Sequence, residues 1–174
     1  MTIVGPVSEH PRTLILLRHA KSDYPHGVAD HDRPLAPRGA REAGLAGDWV
    51  RANLPDVGAV LCSTATRTRE TLDRTGIDAP VRYVERLYES TPGTVLDEIN
   101  SVGEDVTTLL VIGHEPTMSQ LALGLAGVRG TDPRTEARVA TKFPTSGIAV
   151  LHVEGAWHHL ELGGAALVGF HVPR

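Results

Sequence analysis

Two short apolar runs in this sequence each end abruptly at a histidine or at an arginine–histidine pair. Thr13–Leu17 has the sequence TLILL and is followed by Arg18 and His19. Thr107–Gly113 has the sequence TTLLVIG and is followed by His114. Runs of this length, rich in Leu, Ile, Val and Thr, are typical of buried strands. The pattern therefore predicts two strands whose carboxyl ends carry polar side chains.

Further strand and helix patterns alternate along the chain. Strands are predicted at Ala59–Ser63, Val81–Val84, Gly147–Val153 and Trp157–Gly163, the last two as an antiparallel pair that turns at Glu154–Gly155. Helices are predicted at Arg41–Leu54, Ala65–Asp73, Thr94–Val102 and Pro116–Leu125. The segments predicted to be irregular are Ala20–Arg38 and Arg129–Lys142. This alternation predicts an α/β fold, a three-layer αβα sandwich with a mostly parallel central sheet.

The composition limits the size and the environment of this fold. The chain has 174 residues, the length of a single domain, which we predict at residues 13–174 after a tail at residues 1–12. The formal net charge of -4 gives no reason to expect nucleic acid or an anionic membrane as a partner. The single cysteine excludes an intramolecular disulfide, and no apolar run approaches the roughly 20 residues of a membrane span. We therefore expect a cytoplasmic protein, whose oligomeric state the sequence leaves open.

Polar residues at the predicted strand ends indicate a binding pocket. In α/β sheets, ligands bind outside the carboxyl ends of the strands. Arg18, His19 and His114 are expected there, and Arg67 is expected near the start of the helix that follows the next strand. The planar donors of arginine match phosphate oxygens and stay charged at physiological pH. Two arginines and two histidines at one edge therefore favour a pocket for a phosphoryl group.

Three sequence blocks carry these residues in a fixed order. They are LLRHAKS at Leu16–Ser22, STATRTRET at Ser63–Thr71 and VIGHEP at Val111–Pro116. They resemble the signatures of the histidine phosphatase superfamily, which includes phosphoglycerate mutases and acid phosphatases. Together with DRPLAPRG at Asp32–Gly39, the first block is similar to the small phosphohistidine phosphatases of the SixA type. The resemblance covers nearly the whole chain and implies a phosphoglycerate mutase-like fold.

This resemblance implies a covalent mechanism that needs no metal and no cofactor. His19 would attack phosphorus and hold the phosphoryl group as phosphohistidine until water removes it. Arg18, Arg67 and His114 would bind the equatorial oxygens, and Ser22 would join them in substrate binding. His19 must be neutral to attack, so we expect nearby cations to lower its pKa. His114 serves best when protonated, so we expect the phosphate to raise its pKa.

The proton donor to the leaving group stays open. Relatives that cleave phosphate esters commonly carry a glutamate after the third strand, where Glu89 is the nearest candidate and Glu85 the second. A protonated phosphohistidine is already a good leaving group, so a missing acid would narrow the substrate to phosphohistidine. The loop carboxylates Asp23, Asp30 and Asp32 are interpreted as solvated charges.

Removal of phosphate from a phosphohistidine on a protein is the function that these residues favour. One alternative is a small-molecule phosphomonoesterase or mutase of the same superfamily, but the short connection Tyr83–Thr107 leaves little room for a helical cap. Another is a non-catalytic phosphate-binding module in signalling, which would not need both histidines. A cysteine phosphatase is excluded, because only four residues separate Cys62 from Arg67, one fewer than that site requires.

Overall fold

The structure, a computed structural model, describes residues 11–174, so most of the predicted tail lies outside the described residues. Within this range six strands form one sheet: β1 (Arg12–Arg18), β2 (Ala59–Ser63), β3 (Val81–Val84), β4 (Thr108–Gly113), β5 (Ile148–Val153) and β6 (Ala165–His171). The helices are α1 (Pro37–Asn53), α2 (Thr66–Thr75), α3 (Pro92–Asn100), α4 (Thr117–Leu125) and α5 (Pro133–Thr141), with short 3-10 turns at Asp30–Asp32, Glu85–Leu87 and Trp157–His159. None of the helices in this range is long and apolar enough to cross a membrane. The domain boundary and the cytoplasmic location stay predictions.

The sheet is mostly parallel, as the alternation of strands and helices predicts. Its strand order is β3-β2-β4-β1-β5-β6. Strands β3, β2, β4 and β1 run parallel, whereas β5 is antiparallel to both β1 and β6. The pairing of β1 with β4 runs from Thr13 opposite Thr108 to Arg18 opposite Gly113. The carboxyl ends of these two strands therefore lie side by side in the middle of the sheet.

Helices cover both faces of the sheet. Successive residues of a strand point to opposite faces, so Leu14 and Leu16 join one core cluster and Ile15 and Leu17 join the other. The first cluster also contains buried residues of α3, α4 and α5, and the second contains those of α1 and α2. The predicted three-layer αβα sandwich is thereby confirmed.

The segment Trp157–Gly163, predicted as the last strand, is instead a 3-10 turn and a loop. Trp157 is fully buried, and its indole N–H donates to the Val106 carbonyl at 2.7 Å. The segment that buries this large side chain is not part of the sheet. The antiparallel partner of β5 is β6 instead. His158 and His159 share this turn, with ring centroids 5.1 Å apart, whereas a strand would have placed them on opposite faces.

The segment Arg129–Lys142, predicted to be irregular, contains the helix α5. Asp132 caps this helix, and its carboxylate accepts a hydrogen bond from the Thr135 N–H at 3.2 Å. Pro133 occupies the first turn, where proline needs no N–H partner. Buried Val139 packs in the first core cluster. The helix was missed because so few of its residues are apolar, although the cap and the proline are both sequence signals.

Helix α1 packs closely against α2 through one of its glycines. It begins at Pro37, before the predicted start at Arg41, because the fixed φ of proline suits a first helical turn. A Cβ atom at Gly47 would overlap the backbone carbonyl of Thr75, the last residue of α2. A Cβ atom at Gly44, one turn earlier, would lie 3.8 Å from the nearest backbone oxygen, an ordinary contact. The approach of the two helices therefore requires glycine at the first position but not at the second.

Alanine at these two positions should change stability in opposite directions. We expect Gly47→Ala to lower the free energy of unfolding by about 2 kcal/mol, because the backbone of α2 must shift. Gly44→Ala should raise it by about 0.5–1 kcal/mol, because alanine is the better helix former. Urea unfolding followed by tryptophan fluorescence measures both. Equal effects of the two substitutions would contradict the close packing at Gly47.

Candidate active site

The register of β1 and β4 brings two histidines together. Arg18 lies opposite Gly113 in the sheet, and the next residue of each chain segment is a histidine. The His19 N–H donates to the Gly113 carbonyl at 3.0 Å. The ring centroids of His19 and His114 are 5.3 Å apart. Both rings are buried, so they form the floor of one site at the carboxyl edge of the sheet.

Both imidazoles are neutral near pH 7. Burial, together with smaller contributions from His114, Arg67 and Arg18, lowers the pKa of His19 from 6.5 to about 3. Burial also lowers the pKa of His114 to about 4, with Arg67 as the next cause. The expected lowering at His19 is confirmed, although burial is a larger cause than the cations. We expect bound phosphate to protonate His114. To do so, the phosphate would have to raise a pKa that burial and Arg67 lower in the free protein.

The neutral ring of His19 is held as one tautomer. Its Nδ1 atom lies 2.8 Å from the Ala20 carbonyl oxygen. A carbonyl can only accept a hydrogen bond, so Nδ1 carries the proton and Nε2 keeps its lone pair. The Ala20 N–H in turn donates to Thr71 Oγ1 at 2.9 Å, and the Ser146 N–H donates to the His19 carbonyl at 3.1 Å. These bonds fix the backbone from which the imidazole projects.

The predicted arginines are close enough to both histidines to affect their pKa values, and each has an unused donor. Arg67 donates from Nη1 to the Asp30 carbonyl at 2.8 Å and from Nη2 to the Asp30 carboxylate at 3.2 Å. Arg18 donates from Nη1 to the Phe143 carbonyl at 2.9 Å. The Nε atoms of Arg18 and Arg67 are buried and have no hydrogen-bond partner among residues 11–174. Both guanidiniums therefore keep donors for a ligand.

His114 supplies a third unpartnered buried atom. Its Nε2 lies 2.8 Å from Ser63 Oγ, whereas its Nδ1 has no partner within the described part of the chain. A buried polar group left without a partner costs about 1–3 kcal/mol, so such groups are rare in folded proteins. Three of them around His19 suit an anion that offers several acceptor oxygens. Among residues 11–174, no group of His, Cys, Asp and Glu side chains could hold a metal ion.

Three further residues that the sequence offered for the site are Ser22, Glu89 and Glu85. Ser22 is bonded to another loop residue, and the two glutamates are exposed. The Ser22 hydroxyl accepts a hydrogen bond from Arg33 Nη1 at 2.8 Å, and Ser22 pairs with Leu35 in an isolated bridge, so it holds the loop together. Glu89 is exposed and has a φ of 52°, in the left-handed region that few non-glycine residues adopt. Glu85 is exposed in the 3-10 turn after β3. Roles of these residues in substrate binding or proton transfer stay predictions.

Tyr88 and Asp30 also lie beside His114 and Arg67, although the sequence analysis did not consider Tyr88 and interpreted Asp30 as a solvated charge. The Tyr88 ring centroid lies 5.6 Å from that of His114, and its hydroxyl donates to Asp30 Oδ2 at 2.5 Å. This hydrogen bond, assisted by Arg67, lowers the pKa of Asp30 to about 2. The Asp30 side chain is 56% exposed, as expected of a solvated loop charge, but a 3-10 turn also folds it onto Arg67. Nothing in the loop sequence distinguishes this aspartate from its neighbours.

Comparison with known proteins accounts for this arrangement. A model of the histidine phosphatase superfamily (branch 1) matches residues 14–99. A solved structure from Nakamurella multipartitia, provisionally assigned as the phosphohistidine phosphatase SixA, is 42% identical and covers 93% of this chain and 96% of its own, with a TM-score of 0.86. The chain belongs to the histidine phosphatase superfamily. It is therefore a phosphatase with the phosphoglycerate mutase-like fold, as the sequence blocks predicted.

Two further proteins are similar to this chain over most of its length. A solved structure from Agrobacterium tumefaciens, with the same provisional assignment, is 30% identical, covers 94% of this chain and 99% of its own, and has a TM-score of 0.75. An uncharacterised protein of Mycobacterium tuberculosis strain H37Rv is 70% identical over 158 residues, which are 91% of this chain and 100% of that protein. The similarity to SixA-type structures thus extends over nearly all of this histidine phosphatase.

The low pKa of His19 makes the stability of the folded chain depend on pH. The folded imidazole stays neutral down to about pH 3, whereas the unfolded one binds a proton below 6.5. The unfolded state then binds more protons, so the free energy of unfolding should fall as the pH drops from about 6.5 to 4. Urea unfolding at pH 7, 6, 5 and 4 measures this dependence. His19→Asn should lose less stability than wild type over this interval, and an identical pH dependence would contradict the buried neutral imidazole.

Proposed function

We propose that this phosphatase removes phosphate from a phosphohistidine on a protein, through a phosphohistidine formed at His19. The observation that carries the proposal is the hydrogen bond from His19 Nδ1–H to the Ala20 carbonyl. It leaves the Nε2 lone pair of a neutral, buried ring free to attack phosphorus. A histidine that served only as a hydrogen-bond donor to phosphate would not need this tautomer.

The first step transfers the phosphoryl group to the enzyme. The Nε2 lone pair of His19 forms a bond to phosphorus while the bond from phosphorus to the substrate nitrogen breaks. The substrate imidazole is protonated on its other ring nitrogen, so it keeps the electron pair and leaves as neutral imidazole. Arg18 and Arg67 bind the equatorial oxygens through their unused N–H groups, and their positive charge offsets charge on the transferring group. In the second step water attacks phosphorus, which releases inorganic phosphate and restores His19.

His114 contributes a hydrogen bond and does not need to be protonated in the free enzyme. If the unpartnered Nδ1 carries the proton of the neutral ring, Nε2 accepts from the Ser63 hydroxyl at 2.8 Å. Nδ1–H is then a donor for a phosphoryl oxygen. A phosphoryl dianion beside His114 would raise its pKa against the lowering by burial and Arg67, which would strengthen this hydrogen bond when the substrate is bound.

A protein-borne substrate is supported by the connection between β3 and β4. The helix in this connection, α3, buries Val95 and Ile99 in the first core cluster, so it packs on the sheet and is not a lid. An acid on the leaving group is also less important for phosphohistidine than for an ester, which fits the exposed position of Glu89. A phosphorylated protein is accordingly the partner that we propose.

Replacement of the nucleophile should abolish both chemistry and the covalent intermediate. We expect His19→Ala to lose at least about a thousandfold in kcat/KM on a phosphohistidine protein, because no other group can accept the phosphoryl group. Rapid acid-free quenching should trap phosphohistidine on the wild-type enzyme and none on the variant. His152→Ala, which replaces an exposed histidine on β5, is the matched control and should behave as wild type. Full activity of His19→Ala would overturn the proposal.

The role of Glu89 can be tested by comparing substrates with different leaving groups. We expect Glu89→Gln to change turnover of a phosphohistidine protein by less than about twofold and to slow hydrolysis of phenyl phosphate by about 10–100-fold, because a phenolate leaves poorly without an acid. Glu85→Gln is the control on the same connection. Unchanged turnover of phenyl phosphate in Glu89→Gln would remove this glutamate from the mechanism, and equal losses on both substrates would favour a general phosphomonoesterase.

A further inference from the structure

Asp30 holds one edge of the Arg67 guanidinium. Its carbonyl oxygen accepts from Nη1 at 2.8 Å, and its carboxylate accepts from Nη2 at 3.2 Å. The Arg67 Nε is buried and forms no hydrogen bond with any residue of the described range 11–174. Because a guanidinium is planar, bonds that fix its two terminal nitrogens also fix the direction in which the remaining N–H groups point.

Asp30 is itself held by one side chain from its own turn and one from a distant part of the chain. The Tyr88 hydroxyl donates to Oδ2 at 2.5 Å, and Arg33 Nε donates to Oδ1 at 3.1 Å. The Asp30 side chain is 56% exposed, whereas the Arg67 side chain is 7% exposed. Packing therefore does little to place this carboxylate. Its position depends on hydrogen bonds, of which the one from Tyr88 connects it to the wall beside His114.

A carboxylate at this place has two effects on a phosphate site, and they oppose each other. Its negative charge repels a phosphoryl dianion, which weakens binding. Its hydrogen bonds to Arg67 orient the guanidinium before the substrate arrives, which strengthens binding of the transferring group. Asp32, two residues away, carries the same charge but contacts His31 and not Arg67. The two aspartates therefore separate the effect of orientation from the effect of charge.

We propose that Asp30 is a positioning residue for phosphoryl transfer, which orients the Arg67 guanidinium toward the transferring group. The proposal rests on the phosphoryl site proposed above and adds a residue outside its three sequence blocks. Tyr88 supports the same arrangement by fixing the carboxylate. Asp30 acts through Arg67 and does not touch the reacting atoms.

The test compares Asp30→Ala with Asp32→Ala in inhibition by orthovanadate, an analogue of the transferring phosphoryl group, because alanine removes the acceptor whereas an asparagine amide oxygen could still accept from Arg67. We expect the Ki for vanadate to rise, and kcat/KM on p-nitrophenyl phosphate to fall, by about tenfold in Asp30→Ala and by less than about twofold in Asp32→Ala. The Ki does not depend on the fraction of enzyme that is folded, so a loss of stability alone would leave it unchanged. Tighter vanadate binding in both variants would show that Asp30 acts only as a repelling charge and would overturn the proposal.

A double-mutant cycle shows whether the effect passes through Arg67. In an Arg67→Ala background, Asp30→Ala should add no further loss, because the group it orients is gone. A tenfold loss that persists in this background would also overturn the proposal. Failure of the proposed phosphohistidine mechanism would appear separately, as activity retained in His19→Ala, whereas these comparisons measure vanadate affinity and do not depend on which substrate the enzyme dephosphorylates.

Discussion

The parallel pairing of β1 with β4 is the interaction on which this site depends. The two strands are matched from Thr13 opposite Thr108 to Arg18 opposite Gly113, and all six β4 residues are buried. A shift of one residue would turn the apolar side chains of a strand to the opposite faces of the sheet, so the two helical layers lock the register. Because the strands end together, the histidines that follow them meet. The position of both histidines is therefore set by the core.

Burial at this edge accounts for the chemistry of the site. It keeps both imidazoles neutral, which gives His19 a free lone pair. It also leaves the Nε atoms of two arginines and one nitrogen of His114 without partners in the described chain. A fold loses free energy by keeping such atoms unpaired. A phosphoryl group would supply the missing acceptors, so the same atoms that cost stability would provide binding.

The loop between β1 and α1 supplies a carboxylate that contacts Arg67 and Tyr88, which the strand ends do not provide. Its 3-10 turn places Asp30 against Arg67 and Tyr88, and its Ser22 is held by Arg33. The contacts of Asp30 with Arg67 and Tyr88 join parts of the chain that are distant in sequence. No periodicity or motif encodes them, because a loop takes its shape from the surfaces it lies on. The segment around Trp157 was predicted as a strand for the same reason. It is a turn whose shape follows from the surface on which Trp157 is buried.

The sequence alone was enough to predict the αβα sandwich, its mostly parallel sheet and the superfamily. Short apolar runs that stop at Arg18–His19 and at His114 indicate the fold, because strand length and polar strand ends are local properties. The superfamily was predicted from the resemblance of the three sequence blocks. The helix α5 could also have been predicted from the sequence, because Asp132 and Pro133 are signals of a helix start. Tertiary structure decided the tautomer of His19, the neutral state of His114 and the partner of Arg67. Each of these depends on burial and on hydrogen bonds between residues far apart in the chain, which local patterns do not contain.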